Sequence, residues 1–427
     1  MIDADRHPLI QKGLILFEQG RYHDAARTFK DFLSAEPNNA WALHLLASCQ
    51  YHDPKSKKLA LSTIDAAIRL EPQSGWHYEL KALILSGLEQ HRAALKLMSA
   101  ALQLEPESAH THATQAYIYM NMNQWAKAEA CARRALSLDA DNLFAGNLLA
   151  TSLRLQNRLT ENEHLVADLL RRDPQDAVSH SNAGWVHFQK GDYKQAMVHF
   201  KESLRLDPMF EPARIGMLET FKAKSFLYRS HIRYSLFMSR QSKLTQWVII
   251  IGIIFAFRLI RITLSASFEG RFAFLAVWLI VPYFLFIFWT WLAPGFGNWI
   301  VWCDPVAHYA LKKNEKADAI FVGGFLIVGL AAIVLGLLSS VKTFYLFGAA
   351  LLLTTIPFSC TFLNDRRAGK IFYGAIGTTI GVLGFFSLGV YLASGSLNQP
   401  FIQMSWLVMM ILFVACTWLG AFNFLRK

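Results

Sequence analysis

The sequence predicts an all-α protein in two parts: a helical-repeat superhelix of the α-solenoid type, then a polytopic bundle of transmembrane helices. Three observations carry that expectation. Similar punctuation recurs at Pro37, Pro72, Pro106, Ala140, Pro174 and Pro208, at intervals of 35, 34, 34, 34 and 34 residues, and a fixed period of this size marks a repeat array. Apolar runs long enough to cross a bilayer, about 20 residues each, fill the second half. Charge divides the same way. Residues 1–220 hold 24 Lys and Arg against 26 Asp and Glu, whereas residues 221–427 hold 18 against 5. The net charge of +11 thus arises among the apolar runs. It reads as a membrane topology signal, and no nucleic-acid partner is expected.

The repeats come first. The sixth reads SHSNAGWVHFQKGDYKQAMVHFKESLRLDP. Gly184 falls where two helices must approach closely, and Gly191 ends the first of them. Tyr193, Ala196, Phe200 and Ser203 then share one face of a second helix, which Pro208 stops. The first repeat has the same marks in Gly13, Gly20, Tyr22, Ala25, Phe29 and Pro37. The third carries Ala82, Ala94, Ala101 and Pro106, and the fourth Tyr119, Trp125, Ala128 and Ala135. Repeat five departs, with Asn162 and Val166 at the small and aromatic places. Repeat two carries HDPKSKK, with Pro54, between its helices.

This pattern resembles the tetratricopeptide repeat over residues 6–210, six repeats in all. The resemblance implies stacked helix pairs whose first helices line a concave groove for a protein or peptide. Matched to the groove places of that family, the candidates here are Trp76, Glu79, Tyr117, Met120, Asn121, Phe144, Asn147, Arg154, Trp185, Phe188 and Gln189. Each could equally pack against a neighbouring helix. The paired Lys and Asn of the family's clamp for C-terminal carboxylates are missing, which disfavours a chaperone-tail ligand. More broadly, the chain resembles uncharacterised bacterial multi-pass membrane proteins with such an array at the N-terminus.

Residues 211–244 follow as a capping helix and a basic juxtamembrane helix. Ile215, Leu218 and Phe221 are placed to cover the end of the array. Lys222, Lys224, Arg229, Arg233, Arg240 and Lys243 then accumulate among Tyr228, Ile232, Leu236 and Phe237. Such a segment should lie in the headgroup layer and attract anionic lipid.

Residues 245–427 are expected to form about six spans. Five are plain, at about 272–293, 319–340, 343–363, 371–393 and 401–424. The first, about 245–264, contains Arg258 and Arg261, polar groups at membrane depth. Basic loops at Lys312, Lys313 and Lys316, at Arg366, Arg367 and Lys370, and at Arg426 and Lys427 belong on the cytoplasmic side. An even number of spans puts the array there too, in agreement with an N-terminus, MIDADRHPLIQKG, that does not read as a secretory signal. Ala332–Gly336 and Gly377–Gly381 offer small-residue faces for packing within the bundle or between copies. The segment 294–319 is an amphipathic, Trp-rich loop holding Asp304 and His308, and reads either as a docking element or active site or as an interfacial helix with an aromatic belt.

No catalytic motif, cofactor site or metal set is expected. Cys49, Cys131, Cys303, Cys360 and Cys416 lack ligand or redox spacing and read as small buried residues. His110, His112, His180, His187 and His199 lack a completing carboxylate or thiol and read as ordinary surface or half-buried groups. The expected function is therefore a membrane-anchored adaptor or scaffold, not an enzyme. The alternative is a membrane enzyme or transport-complex subunit with a recruiting arm, which would need polar groups converging at membrane depth.

Overall fold

The computed structural model describes residues 7–53, 55–239 and 273–419, with residues 245, 248 and 252. All of the regular structure among them is helical, in 19 α-helices and one 3-10 turn. The chain divides into two compact units at residues 210 and 211.

The first unit is a run of antiparallel helix pairs: α1 (Pro8–Glu18) with α2 (Tyr22–Ala35), α3 (Ala40–His52) with α4 (Lys57–Leu70), and α5 (Gly75–Gly87) with α6 (His91–Leu104). It continues with α7 (Ala109–Asn121) and α8 (Trp125–Leu138), α9 (Leu143–Leu155) and α10 (Leu159–Arg172), and α11 (Ala177–Lys190) and α12 (Tyr193–Leu206). Short polar side chains start four of the first helices. Asn39, Ser108, Asn142 and Asp176 accept from the backbone N–H of Ala42, Thr111, Ala145 and Ser179, satisfying donors that a helix start leaves bare.

In the first and sixth pairs, a glycine on the first helix admits a phenylalanine from the second. A Cβ on Gly13 would sit 2.3 Å from the Phe29 ring, and one on Gly184 would sit 2.6 Å from the Phe200 ring. Both phenylalanines are fully buried. Where the first helix carries Ala116, the second answers with Ala132. The pairs then turn through a left-handed residue at Gly20, Glu89, Asn123, Asn157 and Gly191, so the backbone repeats even where the side chain changes. Repeat two, with its insertion, has no such residue among those described. Repeat five departs where its sequence does. Asn162 takes the place held by Ala25, Ala60, Ala94, Ala128 and Ala196 in the other pairs, and neither of its buried amide atoms has a partner.

The second unit opens with a helical hairpin, α13 (Glu211–Lys222) and α14 (Phe226–Ser239). It continues in α15 (Ala273–Trp302), the 3-10 turn Ala307–Ala310, α16 (Lys313–Ser339), α17 (Lys342–Leu363), α18 (Arg367–Ser394) and α19 (Pro400–Leu419). By length and composition, α16, α17 and α18 can each cross a membrane. Their close crossings use glycine. A Cβ on Gly348 would meet the Gly329 carbonyl at 2.5 Å, and one on Gly384 would meet the Ala350 Cβ at 2.6 Å. Of the two small-residue pairs in the sequence, Ala332 and Gly336 are buried inside the unit, and Gly377 packs on Phe358.

The segment 294–302, read as part of a loop or of an interfacial helix, forms the last third of α15, and α16 begins at Lys313. Pro294, Gly295 and Gly297 look like helix breakers, yet a Cβ on Gly295 would strike Val322 and one on Gly297 would strike Tyr228 and Lys222. Those glycines are contact points. The helix expected as a cap clusters with the second unit, where Leu218 is buried with Val301 and Leu311. Cys303, expected to be buried, is exposed. The first expected span, including Arg258 and Arg261, falls outside the described residues, apart from the isolated positions 245, 248 and 252.

Two substitutions test this packing. Asn162→Ala removes an unsatisfied buried amide, worth about 1–3 kcal/mol, and should raise the thermal unfolding midpoint by about 2–4 °C per kcal/mol recovered. An unchanged or lowered midpoint by calorimetry would contradict the assignment. Gly297→Leu should wedge Tyr228 and Lys222 away from α15, and tryptic cleavage at Lys222 and Lys224 should accelerate.

Candidate functional site

The first helices of the repeats pack on one another along the array, α3 on α5, α5 on α7, α7 on α9 and α9 on α11. They form one continuous layer, stitched by polar contacts at a spacing of one repeat. Glu79 on α5 accepts from Thr111 and pairs with His110 Nδ1 at 2.5 Å, both on α7. Asn121 donates to Ser86 at 3.2 Å. Ser152 reaches the Met120 sulfur at 3.2 Å. Asn147 donates to Asp176 at 2.7 Å and accepts from Asn182 at 2.9 Å and Ser179 at 3.1 Å. Buried polar groups in such a network are satisfied from within the protein.

This ladder sorts the groove candidates. Glu79, Asn147 and Phe188 are buried; the first two are occupied by neighbouring helices, and the Phe188 ring packs edge-on against Trp185 and Tyr193. They build the layer and are closed to a ligand. Met120, Tyr117, Trp185, Arg154 and Gln189 are half-buried. Trp76, Phe144 and Asn121 are exposed. The aromatic candidates also bridge successive first helices. Trp76 stacks on His110 with ring centroids 5.4 Å apart, and Tyr117 lies 6.3 Å from Phe144. The Arg154 guanidinium lies over the Trp185 ring at 5.3 Å, within the range of a cation–π contact. Burial holds the Tyr51 hydroxyl high, at about 12, with Tyr117 adding to the effect.

The histidines hold more than their sequence positions suggest. His44 and His77 on successive first helices face each other through Nδ1 atoms 3.1 Å apart. Within the sixth pair, His180 on α11 and His199 on α12 face each other through Nδ1 atoms 3.2 Å apart, and His187 stacks on His199. Burial depresses His44 to about 3 and His199 to about 4, with the facing imidazoles contributing. Burial also lowers His52 and His77. His110 goes the other way, because its bond to Glu79 outweighs burial. Among the described residues no three His, Cys, Asp or Glu converge on a metal geometry.

In the second unit, the basic residues expected at the membrane surface divide. Lys222 is buried: Glu219 pairs with it at 3.0 Å, and its Nζ lies 5.7 Å from the Tyr228 ring centroid. It therefore serves the hairpin and not a headgroup. Arg229 donates to the Ala223 carbonyl. Lys224 and Arg233 are exposed, as are Phe226, Leu227 and Phe237. Arg240 and Lys243 lie outside the described residues. Asp304 accepts from the backbone of Val306 and Ala307, and His308 Nδ1 meets the Asp304 carbonyl. Both serve their own turn.

The second unit also holds an ionic cluster centred on Arg214. Arg214 donates to both oxygens of Glu315 at 2.9 Å, to both of Glu211 at 2.8 and 2.9 Å, and to the Ala310 carbonyl at 2.7 Å. Lys312 adds a second cation to Glu211 at 2.8 Å. Arg214 first and then Lys312 hold the Glu211 carboxyl down to about 2. No local signal reveals this cluster, because Arg214 and Glu315 stand 101 residues apart.

The paired helices, their period and their buried small residues define a tetratricopeptide-repeat array. One tetratricopeptide-repeat family model matches residues 10–75 and 113–177, and another matches residues 177–210. Similar solved structures include pilF of Pseudomonas aeruginosa, at 19% identity over 52% of this chain and 99% of that one, with a TM-score of 0.40. PilW, a type IV pilus biogenesis factor, is 18% identical over 48% of this chain and 96% of its own, with a TM-score of 0.40. YrrB, a tetratricopeptide-repeat protein with an unusual peptide-binding site, is 19% identical over 44% and 96%, with a TM-score of 0.31. No curated protein matches the chain.

The histidines yield a pH prediction. A buried imidazole with a depressed folded value takes its proton only on unfolding, so stability falls as pH drops below about 6.5. His110 contributes in the opposite sense, fully below its unfolded value and lost as pH rises through its raised folded one. With four depressed imidazoles against one raised, the array's melting midpoint should be lower at about pH 5 than at neutrality. The paired substitutions His44→Gln and His77→Gln should flatten that dependence.

Proposed function

We propose that this chain is a membrane-anchored adaptor. The layer of first helices captures a protein or peptide, and the second unit tethers the capture site to a membrane. The exposed side chains on that layer, Trp76, Phe144 and Asn121, carry the reading. Rigid aromatic surface on a repeat scaffold suits an interface anchor. The helices α16, α17 and α18 support the tether. The exposed side chains of Phe226, Leu227 and Phe237 with Lys224 and Arg233 suit the anionic headgroup layer. The basic loops favour a bacterial inner membrane with the array on the cytoplasmic side. An enzyme or transport role draws no support from Asp304 and His308, which are engaged in their own turn.

The test is affinity capture from detergent-solubilised membranes, comparing the wild-type chain with a Trp76→Ala, Phe144→Ala and Asn121→Ala triple variant. The expected outcome is one or more proteins recovered with the wild type and lost with the variant at equal thermal stability. Recovery that ignores these substitutions would sink the groove assignment.

A further inference from the structure

The described arginines of the array fall into three kinds. Arg21, Arg133, Arg158, Arg171, Arg172 and Arg205 each meet a carboxylate. Arg27, Arg69, Arg92 and Arg134 are exposed and solvated. Arg154 is different. It sits in the last turn of α9, its Nε is buried with no hydrogen-bond partner, and its guanidinium lies over Trp185. Among the described residues no carboxylate lies within ion-pair distance of it. One turn along α11 from Trp185, the Gln189 Oε1 is also buried and without a partner.

We infer that Arg154 and Gln189 form a recognition site for an acidic residue of the groove's ligand, whose side-chain carboxylate pairs with the Arg154 fork and whose backbone N–H donates to Gln189. This deepens the adaptor reading and rests on it. The chemistry is complementary: a planar cation over an indole, its Nε without a partner, and one turn along α11 an acceptor without one. The energetics agree. A desolvated guanidinium without a counterion burdens the fold, and burial alone lowers its pKa to about 10. A ligand carboxylate removes that burden. The position favours a side chain over a chain end. Arg154 belongs to the fifth of six repeats, and the first-helix layer runs on past it through α7 and α11, so a bound segment can pass through.

The probes are four pools of dodecapeptides, built from uncharged residues around one fixed centre and labelled with a fluorophore. The centre is Glu, Gln or Lys with an amidated C-terminus, or Gln with a free C-terminal carboxylate. Binding to the full chain in detergent micelles is read by anisotropy, alongside the thermal midpoint, for wild type, Arg154→Met and Arg154→Lys. The Glu pool should bind roughly tenfold more tightly than the amidated Gln pool, as one charge-assisted contact provides. Arg154→Met should erase that preference without lowering the midpoint, and Arg154→Lys should keep part of it. Equal binding of all pools overturns the inference and leaves the groove reading standing. A lowered midpoint in Arg154→Met with the preference intact shows a stacking residue and overturns it too. Tightest binding by the free-carboxylate pool replaces the side chain with a chain terminus. Binding by no pool overturns both the inference and the groove reading.

Discussion

The first half of this protein depends on close approach between the two helices of each pair. A single helix of 13 or 14 residues, such as α3 or α4, has no stable existence alone in water. Pairing buries only one of its faces, and stacking buries the rest. Both steps require the axes to come near, and the chain arranges this by exchanging volume across the crossing. Gly13 receives Phe29 and Gly184 receives Phe200, while Ala116 and Ala132 divide the space more evenly. The period of the repeat preserves these complementary volumes more faithfully than any one residue type.

The same close packing explains why one layer both builds the array and offers a surface. Consecutive first helices are near enough for Glu79 to reach His110 and Thr111, and for Asn147 to reach Asp176, Ser179 and Asn182. Side chains at the depth of the ladder hold the repeats in register. Those one step further out, Trp76 and Phe144, remain open to solvent. Arg154 lies between these classes, too deep to be hydrated at Nε and without an internal counterion.

Much of this was legible in the sequence, for a physical reason. Spacing alone gives a stack, because Gly, Ala and Pro recur where geometry demands them. Depth was not legible. Helical periodicity assigns Glu79 and Trp76 to the same helix without telling that one is buried and the other exposed. The breakers Pro294, Gly295 and Gly297 misled, since a long apolar helix tolerates them when a neighbour fills the space they leave. Val322, Tyr228 and Lys222 do so. Arg214 gave no local sign, having no periodic or motif context linking it to Glu315.

That last contact has a consequence for how the chain is made. Every ladder contact in the array joins residues about one repeat apart, so each pair finds its neighbour soon after synthesis. The hairpin of α13 and α14 waits far longer. Its guanidinium anchor needs Glu315, and its apolar seat needs Val301 and Leu311. Until the ribosome has delivered those residues, the carboxylate of Glu211 is the only acidic partner the sequence has supplied of the two that Arg214 finally holds. Completion of α15 and the start of α16 thus becomes the event that latches the hairpin, a checkpoint in chain order written into one arginine.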